Sequence, residues 1–196
     1  MNKVISTSKK HIITIAGRPG SGKSTTAKLV ASKLGFEHFS SGDLFRALGK
    51  QRGIDVLGAN KTVGVTEKLD SLVDRKLREI GKTKNQMVID SRTAWHWIPT
   101  SFKVFLDLDL EVAAKRILDE INEERLNSEN IHRSPAEYAQ MLKHRLDVET
   151  SRYKAIYDID PYDMSNYDLV IDTSANNTQQ VVAQVLQGFQ DWLKKT

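Results

Sequence analysis

An α/β fold, with five parallel strands in one sheet and helices on both faces, is the class the sequence predicts, on three observations. Short apolar strands and amphipathic helices alternate five times along the 196 residues, which is the rhythm of βα units rather than of a meander. The first strand runs into a glycine-rich turn and a helix, through Gly17-x-x-x-x-Gly22-Lys23-Ser24. No internal repeat or linker divides the chain, and its length suits one core burying roughly 70% of the unfolded surface. The expectation is a single domain over residues 1–196, with its ligand at the C-terminal ends of the strands.

The first element is a buried strand, because Ile12, Ile13, Ile15 and Ala16 form a short β-branched, apolar run. Glycines end it. Gly17, Gly20 and Gly22 allow backbone conformations in which successive N–H groups converge on one anion, and Pro19 stiffens the turn. Good helix formers follow from Lys23, so the positive end of a helix dipole faces the same place. This is the phosphate-binding loop of a P-loop NTPase, and its fixed positions arise by chance in on the order of one chain in a hundred or fewer. A nucleoside triphosphate is expected on Gly17, Arg18, Pro19, Gly20, Ser21, Gly22, Lys23, Ser24 and Thr25. Lys23 would reach the β- and γ-phosphates, and Ser24 would coordinate Mg²⁺.

Ala27, Leu29, Val30, Ala31 and Leu34 make the apolar stripe of the first helix, which Gly35 ends. Residues 37–40 can form a second strand, and Ser41-Gly42-Asp43 opens a second helix. Residues 53–64 are spotted with glycine and read as a loop. Leu69, Leu72, Val73, Leu77 and Ile80 give helical spacing over 66–80, with Gly81 as the stop. Residues 86–90 form a third strand ending in Asp90, and 91–99 a short helix or turn broken by Pro99. The strand at 102–108 precedes a helix through Val112, Ala113, Arg116 and Ile117. Residues 122–134 are polar with few apolar anchors and are expected to be mobile. Pro135 suits the first turn of a long helix reaching Tyr157. A last strand at 167–172 and a last helix at 178–195 complete the alternation.

The 29 basic residues exceed the 25 acidic ones by four. That excess suits a small polyanionic ligand, and its even spread provides no nucleic-acid arm. A nucleic-acid-dependent ATPase lacks the basic stripe with interleaved aromatics it needs. The absence of cysteine excludes disulfides and thiolate metal sites, as fits a reducing cytoplasm. The first ten residues hold no apolar signal region, and no run approaches a membrane span. A cytoplasmic monomer without a membrane or nucleic-acid partner is therefore expected.

Several further residues can carry chemistry. Asp90 is the candidate for a second Mg²⁺-supporting carboxylate, acting through water, with Asp107 and Asp109 as rivals. Arg145, Glu149 and Arg152 fall at i, i+4 and i+7, within about 60° of one another on a helix. From spacing alone they could equally be a solvated ion pair. Arg116, Arg125 and Arg133 surround the polar segment, from which an arginine could stabilise a transferring phosphoryl group. His96, Trp95, Trp97 and His11 read as packing residues.

Taken together, GRPGSGKSTTAKLVASKLG, SSGDLFRALG, VIDSR, VFLDLD, RLDVETSRYKAIYDID and YDLVIDTS resemble the cytidylate kinase family, especially its shorter archaeal-type branch. The resemblance covers roughly residues 11–195. It implies a nucleoside monophosphate kinase passing the γ-phosphoryl of ATP to CMP or dCMP. In the family, positions matching Ser41, Arg46, Arg92, Arg145, Glu149 and Arg152 hold the acceptor, which places an acceptor subregion at about 41–82 and a lid at about 120–134. Lys23, Arg116, Arg125 and Arg133 are the catalytic candidates. Glu120 stands where the family's lid has a second arginine, leaving Arg125 or Arg133 to serve. Two alternatives stay open: a P-loop kinase of another small acceptor, such as AMP, UMP or a metabolite, and an ATP-binding module with little transfer.

Overall fold

The computed structural model describes residues 10–53, 63–120 and 134–195. Its sheet has five strands, all parallel: β1 (Ile12–Gly17), β2 (Glu37–Ser40), β3 (Met87–Asp90), β4 (Phe102–Asp107) and β5 (Leu169–Asp172). Their spatial order is β2-β3-β1-β4-β5. The chain first builds to one side of β1 and then crosses to the other, so the C-terminal end of β1 lies at the switch point where α/β sheets bind ligands.

Helices α1 (Lys23–Leu34), α2 (Ser41–Gln51), α3 (Val63–Thr83), α4 (Ala94–Trp97), α5 (Leu110–Glu120), α6 (Pro135–Tyr157) and α7 (Thr178–Lys194) surround the sheet. β1 is buried along its whole length, which is why its sequence is almost uninterrupted in apolarity. Ile13 and Ile15 face one layer, where Ala27, Val30 and Ala31 of α1 meet Val181, Val185 and Phe189 of α7. Ile12 belongs to the opposite layer, with Val73, Leu77 and Ile80 of α3 and Ile98 beyond α4. His11 stacks against Phe36 and meets Phe189 edge-on, as a packing residue does.

Several boundaries differ from expectation for identifiable reasons. Gly81 does not stop its helix; α3 runs through it to Thr83. Its missing side chain instead admits Ile98, whose Cγ1 would lie 3.0 Å from a Cβ placed there. β3 starts at Met87 because Gln86 sits at φ 55°. The N-cap of α2 is Ser40, whose side chain accepts from the Asp43 backbone N–H; Ser41 is the first helical residue. α3 already begins at Val63, inside the stretch read as a loop. The expected mobile segment lies outside the described residues except Ser134, which caps α6 ahead of Pro135. Among the described residues no helix is long and apolar enough to cross a membrane.

Candidate active site

The loop after β1 has the conformation its glycines were expected to supply. Gly20 and Gly22 lie at φ 74° and 77°, in the left-handed region that favours glycine. Gly17 is fixed by proximity: a Cβ there would sit 2.3 Å from the Leu106 carbonyl oxygen, which already accepts from the Arg18 N–H at 3.1 Å. α1 then starts with no acidic residue in its first turn and no side-chain cap. Its free N–H groups and positive dipole end are left for an external anion. Ser21 is buried, and its hydroxyl has no hydrogen-bond partner among the described residues. A phosphate oxygen is the kind of acceptor that would relieve that cost.

Lys23 is half-buried and donates to the Arg18 carbonyl at 3.0 Å. Burial, reinforced by the charge of Arg92 and opposed by Asp90 and Glu149, pushes its ammonium down to about 7. The loop lysine therefore shares a field with residues from β3 and α6. Arg18 itself is held by Asp107 at 2.5 Å, which commits that rival carboxylate to an ion pair.

Asp90 ends β3 in register with Ile15 of β1 and Ser40 of β2. It is 5% exposed and receives hydrogen bonds from the hydroxyls of Ser24 and Ser40, both at 3.2 Å. His38 Nε2 lies 2.9 Å from its other oxygen. The adjacent hydroxyl and carboxylate of Ser24 and Asp90 are hard oxygen donors, the set Mg²⁺ accepts when water completes its shell. No cluster of three or more His, Cys, Asp or Glu suited to a metal occurs among the described residues. A P-loop ion, held chiefly by a hydroxyl, water and phosphates, does not need one.

Arg145, Glu149 and Arg152 do share one side of α6, but the structure divides them between two partners. Glu149 is 8% exposed, so its carboxylate is not solvated, although Arg145 beside it is exposed. Its carboxylate accepts from Arg145 Nε at 3.1 Å and pairs with Arg92 Nε at 3.0 Å. The Tyr162 hydroxyl donates to it at 2.5 Å. Burial alone would raise the Glu149 pKa, but Arg92 and Arg145 outweigh it and hold the group down to about 2. Glu149 is thereby a strut between two guanidinium groups, with its lone pairs largely spent inside the protein. Arg152 turns instead to α3, where its Nη1 lies 3.5 Å from Asp70.

Other expected residues lie as follows. Arg46 is exposed and pairs with Asp43 at 2.5 Å. Arg116 is half-buried and donates to the Thr173 carbonyl at 2.8 Å, just beyond β5. Arg125 and Arg133, with the lid, lie outside the described residues. Trp95 and Trp97 pack as expected, and Trp97 also carries Arg78 over its ring at 3.8 Å. Sequence reasoning missed Asp70, Asp74, His38 and Tyr162. Asp70 and Asp74 are one helical turn apart beside the apolar stripe of α3, a detectable signal; Tyr162 follows α6 with no spacing cue.

Comparison with known proteins gives consistent results. A family model described as the cytidylate kinase-like family matches residues 12–175. The cytidylate kinase of Haloarcula marismortui is 36% identical over 185 residues, which cover 92% of this chain and 90% of that protein. That of Methanocaldococcus jannaschii is also 36% identical, over 94% and 99% of the two chains. Among solved structures, a shikimate kinase from Acinetobacter baumannii matches with a TM-score of 0.59 at 16% identity, covering 92% of this chain and 93% of its own. At that identity it shows the shared fold alone.

Proposed function

The chain belongs to the cytidylate kinase-like family, and from that premise we propose that it transfers the γ-phosphoryl of ATP to CMP or dCMP, giving CDP or dCDP. The observation that carries the proposal is the run of contacts from the loop to α6: Ser24 donates to Asp90, two residues before Arg92, which pairs with Glu149. It supports a reading in which a loop for a triphosphate and a cationic cluster for a second anion lie side by side.

Phosphoryl transfer needs in-line positioning, neutralised charge and exclusion of water, with little covalent help from the protein. The N–H groups of Gly20 to Ser24 hold the donor's phosphates. Lys23 leaves the Arg18 carbonyl for the phosphates, whose negative charge favours its ammonium form. Ser24 and Asp90 would hold Mg²⁺, which when bound neutralises phosphate charge. Arg92 and Arg145, aligned by Glu149, present a rigid guanidinium pair to the acceptor phosphate at no reorganisation cost. Ser41 and Arg46 stand on α2 at the edge of the acceptor subregion, where Arg46 exchanges Asp43 for substrate. Arg116, Arg125 or Arg133 adds positive charge as the lid closes. The protein works as a cytoplasmic monomer in this reading. ADP release measured by a coupled assay, with ATP and a panel of nucleoside monophosphates, tests it: CMP or dCMP must be the best acceptor.

A further inference from the structure

Arg18 lies inside the phosphate loop, but its side chain is committed to the neighbouring strand. Its Nε donates at 2.5 Å to Asp107 at the end of β4, and its backbone N–H donates to the carbonyl of the preceding Leu106. The Arg18 carbonyl is in turn the acceptor for Lys23 Nζ at 3.0 Å and for the Ser21 N–H at 3.3 Å. One residue thus ties the loop to β4 on one side and holds the phosphate-binding lysine on the other.

Asp107 can bear on Arg18 because its own backbone is held in place. Its carbonyl accepts from the Thr173 N–H at 2.9 Å and from the Thr173 hydroxyl at 2.8 Å. Thr173 is buried, and its carbonyl accepts from Arg116 at 2.8 Å. The side chains of Arg18 and Asp107 are themselves 26% and 30% exposed, and ion pairs that reach solvent add little to the stability of a fold. What such a pair on a fixed base supplies is geometry. It keeps Arg18, and with it Lys23 and the Ser21 N–H, in one arrangement ahead of the ligand.

We propose that Asp107 is a positioning residue for the triphosphate site, acting through Arg18 to preorganise the loop and Lys23 before nucleotide binds. Ordering a flexible loop at the moment of binding costs affinity, and a loop ordered beforehand avoids that cost. Once phosphates are bound, Lys23 has left the Arg18 carbonyl for them, so the benefit belongs to binding rather than to the transfer step. The proposal rests on the reading of this loop as the ATP site. Charge alone predicts the reverse effect: a carboxylate near a site for polyanions repels them, and its removal should tighten binding.

Calorimetric binding of ADP, with steady-state kinetics, on wild type, Asp107→Ala and Asp107→Asn tests the assignment. In Asp107→Ala, Kd for ADP and KM for ATP should rise at least about fivefold, while kcat and KM for CMP stay within about twofold. Its thermal transition should be retained. Asp107→Asn keeps an oxygen that can accept from Arg18 Nε and should lose less. Tighter or unchanged ADP binding in Asp107→Ala, a loss confined to kcat, or a collapsed thermal transition would each overturn the inference, while a wild type that binds ADP leaves the ATP-site reading standing. A wild type that binds no ADP refutes that reading itself.

Discussion

Replacing Glu149 by Gln tests the strut directly. The substitution keeps the shape and removes the charge against which Arg92, Arg145 and Tyr162 are organised. Folding lowers the Glu149 pKa from 4.5 to about 2, and at about 1.4 kcal/mol per unit this corresponds to about 3 kcal/mol of stability at pH 7. An independent route gives a similar size, since breaking a buried ion pair on one side typically costs about 3–5 kcal/mol. For a chain of this length that is about 6–12 °C in Tm. The pH dependence has a definite sign. Because the folded pKa is depressed, the contribution is complete above about 4.5 and is lost as pH falls through about 2. Urea unfolding of wild type and Glu149→Gln at pH 7, and at steps down to pH 3, should show a gap that narrows on acidification. A gap below about 1 kcal/mol at pH 7, or one that widens with acid, refutes the strut.

Lys23→Ala should fold normally and lose on the order of 10²–10³ in turnover, as usual when one preorganised cation is removed. Because phosphate must raise the Lys23 pKa from about 7, wild-type ATP binding at pH 8 should take up close to one proton. Calorimetry in buffers of different ionisation enthalpy would detect this, and the uptake should vanish in Lys23→Ala. If Asp90 holds the metal's water shell as proposed, Asp90→Asn should lower kcat more than ATP affinity, because its charge would act on the metal rather than on the nucleotide contacts. An equal loss from Asp107→Asn, whose partner is Arg18, would move the role to the wrong strand.

How much of this was legible in the sequence followed the range of the interactions. The loop from Gly17 to Ser24 was readable because its chemistry is local: strand, glycines and helix are contiguous. The parallel sheet was readable because four of its strands carry their own apolar runs; the edge strand β2, Glu37–Ser40, has only Phe39. Gly81 misled because helix-stopping and close-packing glycines look identical until Ile98 is in place. The helix spacing correctly put Arg145, Glu149 and Arg152 on one side of α6. It could not show that Arg92 and Tyr162 would close around Glu149 while Asp70 claimed Arg152, because Arg92 and Asp70 lie far away in the chain and Tyr162 returns to the helix only after its end. Asp90 and its rival Asp107 both end apolar strands in the sequence. Their partners separate them: Ser24 and Ser40 donate to Asp90, while Asp107 is taken by Arg18.

The central claim is that one cleft joins a triphosphate loop to a site built for a cytosine monophosphate. Steady-state kcat/KM for CMP, UMP and AMP with saturating ATP and Mg²⁺, followed by ADP release, measures it most directly. Buried groups left unpaired by the wrong base cost about 1–3 kcal/mol each, so CMP should exceed UMP by roughly tenfold or more, with AMP poorer still. A wild-type preference for AMP or UMP, or ADP release that ignores the acceptor, would contradict it.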